Sequence, residues 1–218
     1  MLLAQQLHLL DDAFLASVTT PFPAPLTPRE KALTHAYLVL SHAVLEEHLE
    51  QVFERHYDRL VGWLGAEMVP LEAARLTFAV SEWVREDLKV GFKTRDMTEF
   101  IGKAAKKDFM THIRKNNGLK ATNVEGMAKL LGLSWKNFED ELFVHLSDLD
   151  NVGSKRGAAG HLSPFTAQTT ELSANDYPED MREWVDSGRE AVEAIEAYLD
   201  RAVRVQQPLS LIRDWDGN

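Results

Sequence analysis

Residues 134–161 read SWKNFEDELFVHLSDLDNVGSKRGAAGH. Phe138, Leu142, His145, Leu149 and Val152 recur at 4-3-4-3 spacing, which draws one apolar stripe along a long amphipathic helix with Ser134 placed to cap its start. A helix with one apolar stripe needs other helices to cover it. Four residues beyond Val152 the same stripe reaches Arg156, so the spacing predicts a core-facing guanidinium. Burying that charge unpaired would cost several kcal/mol, so Arg156 is expected to meet an acid, a cleft or an interface. Gly157, Gly160 and His161 follow at once. Five helical residues rotate about 500°, leaving side chains roughly 140° apart. The two glycines allow a backbone deviation that would turn His161 back towards Arg156.

Working outward, the rest of the chain is also helical in pattern. Leu3, Leu7, Leu10 and Phe14 form a short stripe, followed by a connector stiffened by Pro21, Pro23, Pro25 and Pro28. Thr27-Pro28-Arg29-Glu30 has the form of a capping box with proline at the first helical position, opening a long helix that passes Leu60 and ends at Gly62 or Gly65. Pro70 opens another, with Leu71, Ala74, Phe78 and Trp83 on its inner side. The next carries Met97, Ile101, Ala105 and Phe109 and stops near Asn116-Asn117-Gly118. Thr122-Asn123-Val124-Glu125 reads as a second capping box, for a short helix ended by Gly132. The last long helix opens around Pro178 and carries Met181, Val185, Gly188, Val192, Ile195 and Leu199, ending before Pro208. No segment alternates as a strand, and no repeat is present. The expected fold is all-α, an antiparallel helix bundle. It divides into an N-terminal helix and connector (1–26), a helical domain (27–206) and an apolar tail (207–218) that includes Leu209 to Trp215.

Composition narrows the function classes. The chain has 218 residues and no cysteine, excluding disulfides and thiolate metal sites. Met1 to Asp11 lack the positive region of a secretory signal, and no stretch reaches the roughly 18 apolar residues of a membrane helix. A soluble, cytoplasmic protein without membrane contact is expected. The net charge is −10, yet Lys89 to Lys120 holds nine basic residues against three acids. These include Lys103, Lys106, Lys107, Arg114 and Lys115, and charge pattern alone leaves both a solvated helix face and a phosphate-facing patch open.

The histidines do not read as a metal site. His35, His42, His48 and His56 share one helix at spacings of seven, six and eight, with no HExxH and no Glu-x-x-His in the chain. His42 and Glu46 are four apart and could in principle share a metal, but helix-surface or partly buried roles suit all four better. His145, on the apolar stripe, reads as a core histidine. Gly153 to Gly160 lacks the lysine placement and preceding strand of a phosphate-cradling loop. Neither metal nor cofactor is expected.

Lys155-Arg156-Gly157-Ala158-Ala159-Gly160-His161 resembles the Arg-x4–6-His motif of HEPN domains. More closely, Asn116 to Pro164 resembles the RiboL-PSP and MAE_28990-like HEPN families, through Asn116-Asn117-Gly118-Leu119, Leu130-Leu131-Gly132-Leu133 and the Arg156/His161 pair. The helix Ala36 to Tyr57, with Leu45-Glu46-Glu47-His48-Leu49, is similar to the family's early helix. The resemblance implies a metal-independent endoribonuclease leaving 2′,3′-cyclic phosphate and 5′-hydroxyl ends. Arg156 and His161 would be catalytic, with Lys155 adding phosphate attraction and Glu46 or Glu47 supplying a polar partner; Glu47 is assigned with Lys155 to substrate binding. It further implies an RNA substrate and a homodimer in which two Arg-His pairs line one cleft. A toxin or phage-defence role, with a cognate antitoxin or regulatory protein, would fit the family. Many members carry a polar residue after the arginine, where this chain has Gly157. The alternative is a non-catalytic HEPN-like module that binds RNA or protein.

Overall fold

The computed structural model describes residues 2–66, 69–84, 97–116, 118–161 and 177–204. Among them are α1 (Leu3–Phe14), α2 (Pro28–Trp63), α3 (Leu71–Trp83) and a turn of α-helix (Met97–Glu99). That turn runs into a π-helical segment (Phe100–Ala105) and then α4 (Lys106–Ile113); α5 (Ala121–Leu130), α6 (Trp135–His161) and α7 (Pro178–Arg204) follow. No strand occurs among the described residues, and none of the helices is long and apolar enough to cross a membrane. The fold is all-α, as the apolar periodicities require. The apolar tail Leu209 to Trp215 lies outside the described residues.

The chain forms two compact units. The first comprises residues 1–50, 117–124 and 139–195, the second 51–116, 125–138 and 196–218. In the first unit α2 starts as the capping pattern dictates. The Glu30 carboxylate accepts the Thr27 N–H at 2.9 Å and the Thr27 hydroxyl at 2.7 Å, and the Glu30 N–H reaches the Thr27 hydroxyl at 3.3 Å. The connector adds donors that local sequence could not foretell: Thr19 and Thr20 give their N–H groups, and Thr20 its hydroxyl, to the same carboxylate. These hydrogen bonds, led by that of the Thr27 backbone, hold the Glu30 carboxyl at a pKa of about 2.

In the second unit Tyr57 and Phe109 stack at 4.4 Å between ring centroids. The Tyr57 hydroxyl donates at 2.7 Å to the Ile101 carbonyl, which also accepts the Lys106 N–H across the wide π turn. Ile101, Ala105, Phe109 and Ile113 are all buried at four-residue spacing. A widened turn keeps such a spacing on one face better than an unbroken α-helix does. The inner side of α3 differs from the sequence reading. Ala73, Leu76, Ala79 and Val80 are buried, whereas Leu71 and Phe78 are exposed. The backbone of α3 is approached closely at Arg75, where a Cβ on Gly132 would lie 2.7 Å from the carbonyl oxygen. Gly132 has φ +71° and ends α5 in a Schellman turn, with Leu133 N–H bonded to the Ala128 carbonyl and Gly132 N–H to that of Lys129.

The capping box expected at Thr122 does not form as such. Helix α5 already begins at Ala121, and Asp150 of α6 caps it by accepting the Ala121 N–H at 2.8 Å. A tertiary carboxylate has displaced the local one.

Candidate functional site

The site lies within the first unit, where α2, the residues after Asn117 and the C-terminal third of α6 bring charged groups together. On α2, Glu46 accepts a hydrogen bond from the backbone N–H of Gly118. Gly118 has φ +150°, and its carbonyl accepts the Asn123 side-chain amide at 3.0 Å. Both polar groups of this glycine are thus held, one by α2 and one by α5. One turn before Glu46, His42 is buried, with Nδ1 3.7 Å from a Glu46 carboxylate oxygen.

Arg156 acts electrostatically on both residues. Burial, and after it the Arg156 charge, push the His42 pKa down to about 4, so the imidazole is neutral near pH 7. Burial raises the Glu46 carboxyl above its ordinary value, while the Gly118 N–H and Arg156 pull it back. Since His42 is uncharged at neutral pH, the cation that balances Glu46 is Arg156 rather than His42.

Arg156 itself is exposed, which corrects the expectation of a core-facing guanidinium. The buried stripe of α6 stops at Val152. A four-residue step overshoots a helical turn by about 40°, and exposure keeps the guanidinium hydrated while Glu46 stands within electrostatic reach. The backbone deviation that the glycines allow does not occur. Helix α6 continues through Gly157 and Gly160 to His161, so positions 156 and 161 keep their helical separation of roughly 140°. His161 is the last residue of α6, and its side chain lies outside the described residues.

Lys155 is half-buried, with its ammonium 4.1 Å from the centre of the Trp184 ring. Trp184 had no signal in the sequence beyond its place on α7. Glu47 is exposed on α2, and its neighbour Glu46 interacts electrostatically with Arg156. Among the described residues a Cβ on Gly157 would meet nothing within 4 Å. Of the basic residues between Lys89 and Lys120, Lys103 pairs with Glu99 at 2.9 Å and Lys106 with Asp58 at 2.7 Å, both in the second unit. Among the described residues no group of three or more His, Asp or Glu side chains is placed to hold a metal ion.

A family model matches most of the chain. The RiboL-PSP-HEPN model covers residues 13–201. This chain belongs to the RiboL-PSP-HEPN family. HEPN domains are often ribonucleases, and they often bind RNA and dimerise. No curated protein and no solved structure matched the chain. In this HEPN chain the matched span includes α2, the Gly118 turn and all of α6.

Proposed function

We propose that this HEPN chain is a metal-independent endoribonuclease with Arg156 and His161 as its catalytic residues. The observation that carries the reading is Arg156: exposed, at the end of α6, and counter-charged by a partly buried Glu46. An arginine so placed offers planar, paired donors to phosphate oxygens. In the proposed step the ribose 2′-oxygen attacks the adjacent phosphorus and the bond from phosphorus to the 5′-oxygen breaks. The 2′-hydroxyl proton leaves to a base, and the departing 5′-oxygen takes a proton from an acid. The products are a 2′,3′-cyclic phosphate and a 5′-hydroxyl. A histidine titrating near neutrality suits this proton traffic, and positioned acid/base transfer contributes about 10²–10⁴-fold. Arg156 would bind the scissile phosphate and the charge that builds on it.

The helical separation of positions 156 and 161 supports a homodimer, in which the pair of one copy completes a cleft with that of another. Lys155 and Glu47 are proposed as substrate-binding residues, Lys155 after exchanging its place over Trp184 for a phosphate. A toxin or phage-defence role, held in check by an antitoxin, is consistent with this chemistry.

The test is cleavage of total RNA in EDTA by wild type, Arg156→Ala and His161→Ala, with product ends mapped. Cyclic-phosphate ends from wild type alone are expected. Equal cleavage by wild type and His161→Ala would remove His161 from the chemistry. RNA binding without cleavage by any of the three would favour the non-catalytic module, the reading to which the absent polar group at Gly157 points.

A further inference from the structure

Lys120 is engaged by the same helix that carries Arg156. Its backbone is fixed on both sides: Gly118, two residues before, is bonded to Glu46 and Asn123, and Ala121, one residue after, is capped by Asp150. Its side chain lies across Gly153 of α6. A Cβ built on Gly153 would stand 3.1 Å from Cγ, 3.6 Å from Cε and 4.0 Å from Cδ of Lys120. The glycine is therefore a notch that the aliphatic stem occupies. Arg156 and Gly157 are the i+3 and i+4 neighbours of that notch, where Cβ positions lie about 5–6 Å apart. Lys120 is exposed, and among the described residues it makes no ion pair, unlike Lys103 and Lys106. Among the described residues nothing lies within 4 Å of a Cβ built on Gly157.

We infer that Lys120 is a second phosphate-binding residue of this site, contacting the RNA backbone next to the phosphate held by Arg156. The inference rests on the reading of Arg156 given above. A lysine stem packed on a glycine has its ammonium directed by the helix surface while its charge remains available, which suits a point-charge contact to a phosphate. The competing account is that Lys120 merely covers Gly153 with its methylenes. The two differ only in the charge.

Lys120→Met separates them, because it keeps an unbranched stem for the notch and removes the ammonium. The probe is a short single-stranded 2′-O-methyl oligoribonucleotide, which presents the phosphates but lacks the attacking hydroxyl. Affinity is measured for the full chain across a salt series, beside Lys120→Arg and Arg156→Ala. One lost phosphate contact on a single strand lowers the slope of log affinity against log salt by about 0.7, equivalent to roughly four-fold weaker binding near physiological salt. That change is expected for Lys120→Met, with Lys120→Arg near wild type. A normal slope and affinity in Lys120→Met, while Arg156→Ala loses both, overturns the role of Lys120 and leaves the Arg156 reading standing. Wild-type binding that Arg156→Ala does not weaken, or no binding at all, overturns that reading and the inference with it.

Discussion

Asp150 on α6 caps the helix that starts at Ala121, its Oδ1 2.8 Å from the Ala121 nitrogen. The carboxylate satisfies an N–H that α5 cannot satisfy internally, and its charge complements the positive end of the helix dipole. The same bond fixes the residue that follows Lys120, whose side chain lies across Gly153.

Replacing Asp150 by alanine is expected to cost about 1 kcal/mol, the usual value of an N-terminal cap. Urea denaturation of the two proteins measures it. Asp150→Asn keeps an acceptor oxygen and should retain most of the stability; an alanine variant as stable as wild type would show that the cap contributes nothing.

Glu30 links the connector to the start of α2, and its hydrogen bonds set a pH dependence. The folded carboxyl titrates at about 2 against an ordinary value of 4.5. Its stabilisation is present in full above 4.5 and is lost as pH falls from there towards 2, because the unfolded chain takes up the proton first. Glu30→Gln is expected to be less stable than wild type at pH 7, with the difference narrowing across that window. A constant difference between pH 5 and pH 2.5 would contradict the assignment.

His56 produces a second window in the opposite chemical type. It is buried, neither ring nitrogen has a hydrogen-bond partner among the described residues, and burial lowers its pKa from 6.5 to about 4. As pH falls through 6.5 the unfolded chain protonates while the folded chain does not, so stability declines from 6.5 down to about 4 and levels off below. His42, shifted the same way, adds to the decline. His56→Leu should flatten part of this slope and match or exceed wild-type stability at pH 7, by up to about 1 kcal/mol, since it removes a buried group left unpaired. A slope unchanged from wild type would exclude His56 as a source.

Gly157 follows the motif arginine, and among the described residues nothing lies within 4 Å of a Cβ placed there. Gly157→Asn is expected to raise helix stability by a few tenths of a kcal/mol, roughly the difference between the two residues in helix interiors. It is also expected to increase the RNA cleavage rate by supplying an orienting group next to Arg156. Slower cleavage by a variant of equal or greater thermal stability would argue that the glycine at 157 is itself needed for substrate.

The all-α class, the run of α6 from Trp135, the Thr27–Glu30 cap and the family were all determined by the sequence, because each rests on spacing along one helix or on residues within a few positions of one another. The Arg156/His161 motif was legible in the same way. What only tertiary structure decided depends on groups far apart in the chain. The inner face of α3 went to Ala73, Leu76, Ala79 and Val80 rather than to Leu71 and Phe78. The start of α5 moved to Ala121 because Asp150 arrived from another helix. Arg156 turned to solvent where a continued stripe would have buried it. Glu46 became a counter-charge of Arg156 where its carboxylate receives the Gly118 N–H from a distant part of the chain. Lys120 joined the site through a notch at Gly153, a contact that no periodicity records. Periodicity fixes which residues can share a face; which charges meet is settled by where separate elements pack, and desolvation makes that choice energetically decisive.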